Sequence, residues 1–234
     1  MSSWLLSLDT STEAVSVALL RAAECYERFE LAPKRQAQLV LPMIDEVLAE
    51  AGVAKSKIGA IAVGRGPGAF TGVRLGISVA QGIALGLDVP VLPISSLAAL
   101  AAEVIEVDPT LTVLATIDAR MGEVYAGCYR FDAQHGVQLI GDECVGPAHS
   151  VPLARAERWG VIGTGWSAYP DYWAPRIGAP EFADGERFPR ASRIAQLAVS
   201  RWQRGHGVAP EFALPAYLRD KVALTEVERG VRAS

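Results

Sequence analysis

The residues best suited to chemistry stand in two short stretches. In the first, Asp9-Thr10-Ser11-Thr12-Glu13 follows the apolar run Trp4–Leu8, so a carboxylate closes a buried strand beside three hydroxyls. A carboxylate in that setting is of the type that holds Mg²⁺, and hydroxyls beside it are of the type that touches phosphate. The same residue types also satisfy the hydrogen bonds of a tight turn. Asp9, Thr10 and Ser11 therefore read either as nucleotide ligands or as turn formers.

The second stretch is Gly64-Arg65-Gly66-Pro67-Gly68-Ala69-Phe70-Thr71-Gly72-Val73-Arg74. It places four glycines and a proline in nine positions, between a buried strand at Ile58–Val63 and a helical run at Thr71–Leu87. Glycine permits positive φ and close approach of another group, and helix N-termini favour anions. Gly66 and Gly68 thus read as phosphate-binding, or as room for something large to pack closely. Known phosphate motifs fit badly. A P-loop needs Lys and Ser/Thr after its last glycine, where this chain has Val73 and Arg74. The spacing Gly66-x-Gly68-x-x-x-Gly72 misses the dinucleotide fingerprint by one position.

Other candidates are thinner. Asp118 ends a second strand, with Ala119 in place of a hydroxyl. Arg120 and Glu123 suit a turn ion pair or a partner contact, and Arg65 and Arg74 flank the glycine stretch as exposed residues or anion attractors. His135, His149 and His206 never stand three or four residues apart, and Gly165-x-Ser167-x-Tyr169 fails as a nucleophile elbow at its last position. A zinc site or hydrolytic triad is not expected. Cys25, Cys128 and Cys144 are widely spaced and read as reduced thiols of a cytoplasmic protein. A net charge of −4 argues against a stand-alone nucleic-acid binder. No apolar run is read as reaching membrane-span length, and no membrane association is expected.

The elements that must position these residues follow an α/β order. Trp4–Leu8, Val15–Leu19 and Cys25–Leu31 predict an antiparallel three-strand start. Lys34–Gly52 predicts a helix with Val40, Met43, Ile44, Val47 and Leu48 on one face, Gly52 as its stop and Pro42 as a kink or late start. In the helix from Thr71, Gly72, Gly76, Ala80 and Ala84 recur every four residues, with Gly82 and Gly86 in a second row. Each helix-interior glycine costs ~1 kcal/mol relative to alanine, so another backbone is expected close by. That backbone belongs either to the chain's own sheet or to a second protein. A strand at Val89–Ile94 and a helix capped by Ser95-Ser96 complete one layer unit.

Asp108-Pro109-Thr110 is the expected domain boundary, dividing 1–107 from 108–234. After it the opening echoes: Leu111–Ile117 ends in Asp118 as Trp4–Leu8 ends in Asp9, and Val124 follows as Val15 does. Strands at Glu123–Phe131 and Val137–Cys144, a short helix at Val151–Trp159, a strand at Gly160–Ile162 then a glycine turn, an irregular aromatic segment over 167–190, a helix capped by Ser192 and a fraying tail after Ala209 complete the expectation.

The chain resembles the TsaB (YeaZ) family of tRNA threonylcarbamoyladenosine biosynthesis subunits over most of its length. Leu8–Glu13, Leu41-Pro42-Met43, Gly64–Arg74, Ile117–Tyr125, Gly163–Trp166 and Tyr217-Leu218-Arg219 carry the resemblance. It implies an actin-like ATPase/sugar kinase/Hsp70 fold of two ribonuclease-H-like lobes, with mixed sheets flanked by helices. It also implies a non-catalytic scaffold for modification of tRNA beside the anticodon. Such a scaffold binds a TsaD-type transferase, is joined by a TsaE-type ATPase, and forms a homodimer when alone. It meets tRNA indirectly and carries no cofactor of its own, with ATP and Mg²⁺ confined to the complex. The resemblance maps the pairing surface onto Gln36, Val40, Met43, Ile44 and Val47 of the first helix. On the second helix it maps onto Gly72, Leu75, Gly76, Val79, Ala80 and Ile83. On that mapping, Gly76→Leu is expected to block pairing more than it unfolds the monomer. Where relatives carry a histidine just before Leu-Pro, this chain has Gln36 and Ala37. The alternative is an ATP-handling enzyme of the same fold, built on Asp9, Thr10, Ser11 and the glycine loop.

Overall fold

In a computed structural model, which describes residues 3–219, the chain forms two five-stranded sheets. The first holds β1 (Trp4–Asp9), β2 (Ala14–Arg21), β3 (Glu24–Leu31), β4 (Ile58–Gly64) and β5 (Val91–Ile94). β1 to β3 form an antiparallel meander; β4 and β5 add in parallel, giving the order β3-β2-β1-β4-β5. The second holds β6 (Thr112–Arg120), β7 (Glu123–Asp132), β8 (Gly136–Pro147), β9 (Trp159–Ile162) and β10 (Phe182–Asp184), in the order β10-β9-β6-β7-β8. With β6 in the part of β1, the two orders are the same path.

β1 is buried along its whole length because both faces of its sheet are covered. Trp4, Leu6 and Leu8 join a core closed by α1 (Gln36–Ala51) and α2 (Phe70–Leu87). Leu5 points the other way, into a core closed by α6 (Ala191–Gln203). α1 keeps its predicted apolar face and stops where Gly52, at φ 64°, turns left-handed. α3 (Ser96–Val107) starts as predicted, with the Ser95 hydroxyl accepting the Ala98 amide at 3.1 Å. Leu97, Leu100 and Val104 of α3 pack on Val113, Ala115 and Ile117 of the second sheet. The helix between the two sheets in sequence thus covers the second sheet, while α6, which follows the second sheet, covers the first. α3 and α6 also pack on each other.

Several expectations need correction. Residues 151–158 form no helix; the chain runs irregularly until Trp159 begins β9. α4 (Thr164–Ala168) begins in the expected glycine turn, and the segment predicted irregular holds its end, α5 (Pro170–Ile177) and β10. Pro170 at the first helical position suits a helix start, and buried Trp173 anchors α5, donating from Nε1 to the Gly165 carbonyl at 3.0 Å. Ser192 does not cap α6. Arg190 holds that position without a side-chain cap, and the free amides are taken up across the fold by Ser16 Oγ (to Ala191, 2.8 Å) and Glu27 Oε1 (to Ser192, 3.0 Å). The expected absence of a span-length apolar run is also corrected. α2 has 18 residues at mean hydropathy 1.3, long and apolar enough by composition to cross a membrane, and here it forms a layer on the first sheet. The expected fraying tail lies, beyond residue 219, outside the described residues.

Candidate functional site

Asp9 sits where β1 ends and turns toward β2, and it is 1% exposed. One carboxylate oxygen accepts from the Ser11 amide at 2.8 Å and the Ser11 hydroxyl at 2.7 Å; the other accepts from the Ser96 hydroxyl at 2.8 Å. Burial raises its pKa above the ordinary 3.8, partly offset by those bonds. Thr10 donates its hydroxyl to the Gly72 carbonyl at 2.7 Å. The glycine stretch lies directly against this turn. The Ala69 amide bonds the Ser11 carbonyl at 2.7 Å, and the Ser96 amide bonds the Gly66 carbonyl at 2.9 Å. A Cβ on Gly68 would come within 2.2 Å of the Ser11 carbonyl oxygen, and one on Gly72 within 2.1 Å of the Thr10 carbonyl oxygen. The large group for which the glycines make room is therefore the chain's own β1–β2 turn.

Of the five residues read as nucleotide ligands, Asp9, Thr10 and Ser11 are engaged in hydrogen bonds within the chain. Asp9, Thr10 and Gly66 are buried in protein contacts; Ser11 and Gly68 alone among them border a cavity. That cavity, about 170 Å³, lies between the two sheets' loops and includes Glu13, Asp118, Tyr125 and Arg219 in its lining. It is smaller than the ~300 Å³ at which small-molecule sites begin. Asp118 does not reach into it as a free carboxylate. Arg120 bonds Asp118 at 2.9 Å and also pairs with Glu13, while the Tyr169 hydroxyl donates to Asp118 at 3.2 Å. Residues 213–219 cross the cavity as a strap. The Ala216 amide bonds the Arg65 carbonyl at 2.9 Å. Arg74 donates to the Tyr217 hydroxyl at 2.6 Å while stacking on Phe70 at 3.5 Å. Arg219 reaches the other side, to the Ala119 carbonyl at 3.1 Å and to Glu123.

The residues predicted to pair with a partner divide into two sets. Val40, Met43, Ile44 and Val47 are core residues, 0–6% exposed. Gly72, Gly76 and Ala80 face the first sheet, and a Cβ on Gly76 would lie 2.8 Å from Thr10 Oγ1. The four-spaced ridge is thus packed on its own sheet, which corrects the reading that it meets a second protein. Gly76→Leu is expected to press on the Thr10 side chain and destabilise the packing of α2 on the sheet. Gln36 is half-buried and donates to the Thr12 carbonyl at 2.9 Å. Val79 and Ile83 are half-buried and pack against the first core from the flank of α2, while half-buried Leu75 lies on its outer side with Gly82 and Gly86, which have open space where a Cβ would point. Leu41 (52%) and Leu85 (74%) stand fully outside. A shallow apolar cleft between Leu41, Ile44 and Leu48 of α1 and Ile83 of α2 completes this face. Leu41, Leu85, Gly82 and Gly86 escape the predicted set. Their signal is the second row of glycines, which marks the side of α2 where no packing demands them.

Comparison with known proteins places this geometry in context. Residues 30–161 match the family model described as TsaD: tRNA N6-adenosine threonylcarbamoyltransferase. The chain is 39% identical to the tRNA threonylcarbamoyladenosine biosynthesis protein TsaB of Escherichia coli, over 94% of this chain and 96% of that one. It is 38% identical to the TsaB of Haemophilus influenzae, over 93% and 94%. A solved structure of YeaZ from Pseudomonas aeruginosa superposes with a TM-score of 0.85 at 46% identity, covering 92% of this chain and all of that one.

Proposed function

The chain belongs to the TsaB family of tRNA threonylcarbamoyladenosine biosynthesis proteins, and from that premise we propose that it is the non-catalytic scaffold of this modification in the cytoplasm. It holds a TsaD-type transferase against the outer face of α1 and α2, a TsaE-type ATPase joins the pair, and tRNA is modified on the transferase. In the absence of that partner the same face pairs two copies of this chain. ATP and Mg²⁺ enter with the partners. The repeated strand order supports an actin-like fold of two ribonuclease-H-like lobes.

The observation that carries the scaffold reading is the contrast between the two candidate regions. The Asp9 turn and the glycine stretch are closed on each other, with every carboxylate oxygen of Asp9 bonded by the chain itself. α1 and α2 instead leave Leu41 and Leu85 in water, with an apolar cleft between the two helices at Leu41, Ile44, Leu48 and Ile83, and on this reading the partner covers them. Small residues at Gly82 and Gly86 let a second helix approach closely.

The test is reconstitution. Transferase, ATPase, a threonylcarbamoyl-adenylate source and unmodified tRNA are held constant, and nucleosides are read by mass spectrometry. Modified nucleoside is expected only when this chain is present. Product formation without it would overturn the scaffold role. Gly82→Leu, whose Cβ meets no atom of its own chain within 4 Å, is expected to abolish pairing in size-exclusion chromatography and product formation together, with an unchanged far-ultraviolet circular dichroism spectrum.

A further inference from the structure

A second opening, a groove of about 1150 Å³, lies where α3, α6 and the β7–β8 hairpin meet. It exceeds the ~1,000 Å³ that bounds most small-molecule sites, so its size suits an extended chain. α6 contributes Arg201 and Arg204, and the crossing after β4 contributes Arg65. The hairpin faces the same groove with Phe131 and Leu139, 43% and 41% exposed.

The charges in this groove are unevenly matched. Of its two carboxylates, Glu106 pairs with Arg193, while Glu143 accepts from the neutral Ser95 and Tyr129 hydroxyls and keeps its charge, leaving three guanidinium groups against one carboxylate. Among the described residues, no ion pair reaches Arg65, Arg201 or Arg204. Arg201 is held below its ordinary pKa by partial burial and then by the positive charges of Arg65 and Arg204, with which it shares the groove lining. Arg201 is nevertheless fixed by donation to the Pro93 carbonyl at 3.3 Å. Arg204 is fixed by donation to the Ser200 carbonyl and hydroxyl at 3.1 and 3.2 Å. A chain of net charge −4 gathers three guanidinium groups here, with repulsion that a bound polyanion would relieve.

We propose that this groove binds a single-stranded stretch of RNA, with phosphates on Arg65, Arg201 and Arg204 and a base stacked on Phe131. Planar guanidinium forks match phosphate oxygens two at a time, and an exposed aromatic ring beside cations is the usual platform for an unpaired base. The choice of RNA over an acidic peptide rests on the tRNA-modification reading; the groove's cationic character does not.

The test is fluorescence anisotropy on the full chain. The probe is a labelled single-stranded RNA of about a dozen nucleotides, with a poly-glutamate peptide of equal length as competitor. Binding is expected to fall with salt, with a slope of about −0.7 per phosphate held. The double variant Arg201→Glu/Arg204→Glu is expected to lose at least ~10-fold in affinity and to flatten that slope by about 1.4. Arg65→Ala, a variant in a separate element, is expected to flatten it by about 0.7. Phe131→Ala is expected to lose ~10-fold with the slope unchanged. Unaltered RNA affinity in these variants, with circular dichroism preserved, overturns the proposal. So does poly-glutamate competing as well as RNA, since the groove is then an acidic-peptide site. The reconstituted modification assay keeps the two readings apart. If product forms but the wild-type chain binds no RNA, the groove proposal fails and the scaffold stands. If RNA binds but omission of the chain leaves product unchanged, the scaffold fails and the groove remains an RNA site.

Discussion

At the scale of single residues, Asp9 shows how a catalytic-looking carboxylate becomes a structural one. Its three donors are all from its own chain, and two belong to Ser11, two positions on. Asp9→Ala leaves the Ser11 amide and the Ser11 and Ser96 hydroxyls without their acceptor, and is expected to cost about 3 kcal/mol in urea unfolding. Asp9→Asn keeps an acceptor and is expected to cost less than ~1 kcal/mol. The pH dependence has a definite sign. The folded pKa of Asp9 is raised by burial, so its protonated form is favoured in the folded state. Its contribution is complete below the ordinary value of 3.8 and is lost as pH rises through the raised folded value. Stability of the parent relative to Asp9→Asn should therefore decline with rising pH across that window; a difference that grows with pH would contradict the burial argument. The turn-forming nature of Asp9-Thr10-Ser11 was legible from residue types. That Gly68 and Gly72 are glycines because Ser11 and Thr10 press against them was not, since the contact joins residues about sixty positions apart.

At the scale of elements, α2 is apolar on both sides for two different reasons. Gly72, Gly76, Ala80 and Ala84 lie on the sheet, Val79 and Ile83 pack against the same core from the flank, and Leu75 and Gly82 face outward. Periodicity located the helix within one residue at its start but could not assign the sides, because small and apolar residues occupy both. Gly76→Leu is therefore expected to destabilise the chain, while Gly82→Ala, with open space at its Cβ, is expected to add ~1 kcal/mol. That gain corresponds to a melting temperature higher by about 2–4 °C in a domain of this size. Loss of stability in Gly82→Ala would mean that the outer row packs against something within the monomer. α6 is legible only in part, for a related reason. Its amphipathic run is readable, but its N-terminal amides are taken up by Ser16 and Glu27 of β2 and β3, which nothing local announces. Glu27→Ala is expected to cost ~1–2 kcal/mol, as a lost helix cap does, with the first amides of α6 exchanging faster with solvent. Unchanged exchange there would show that Glu27 does not hold the helix start. α4 is hidden by Gly163 and Gly165, which read as a turn, and α5 by Pro170 and Pro175, which read as helix breakers although a first-turn proline starts it.

At the scale of the whole molecule, the paired strand–Asp–turn–strand openings at Asp9 and Asp118 foreshadow the strand order that the two sheets share. The exchange of covering helices was beyond reach of local patterns, because α3 and α6 carry apolar faces that suit either sheet. The strap over 213–219 bridges both halves through Arg74–Tyr217 and Arg219–Glu123. A chain ending at Pro215 is expected to lose both ties. Amides 119–123 should then exchange about tenfold faster for each 1.4 kcal/mol lost, and unchanged exchange would show that the strap does not brace that turn. The helix exchange itself governs the order of events on the ribosome. Leu5, Leu20, Ala60, Ala62 and Leu92 of the first sheet are sealed by Ile194, Ala195 and Ala198. Every residue of that sheet has therefore left the exit tunnel long before its cover is made. The nascent first half carries a bare apolar wall through the synthesis of the entire second sheet, and a chaperone that shields exposed strands has that interval in which to act.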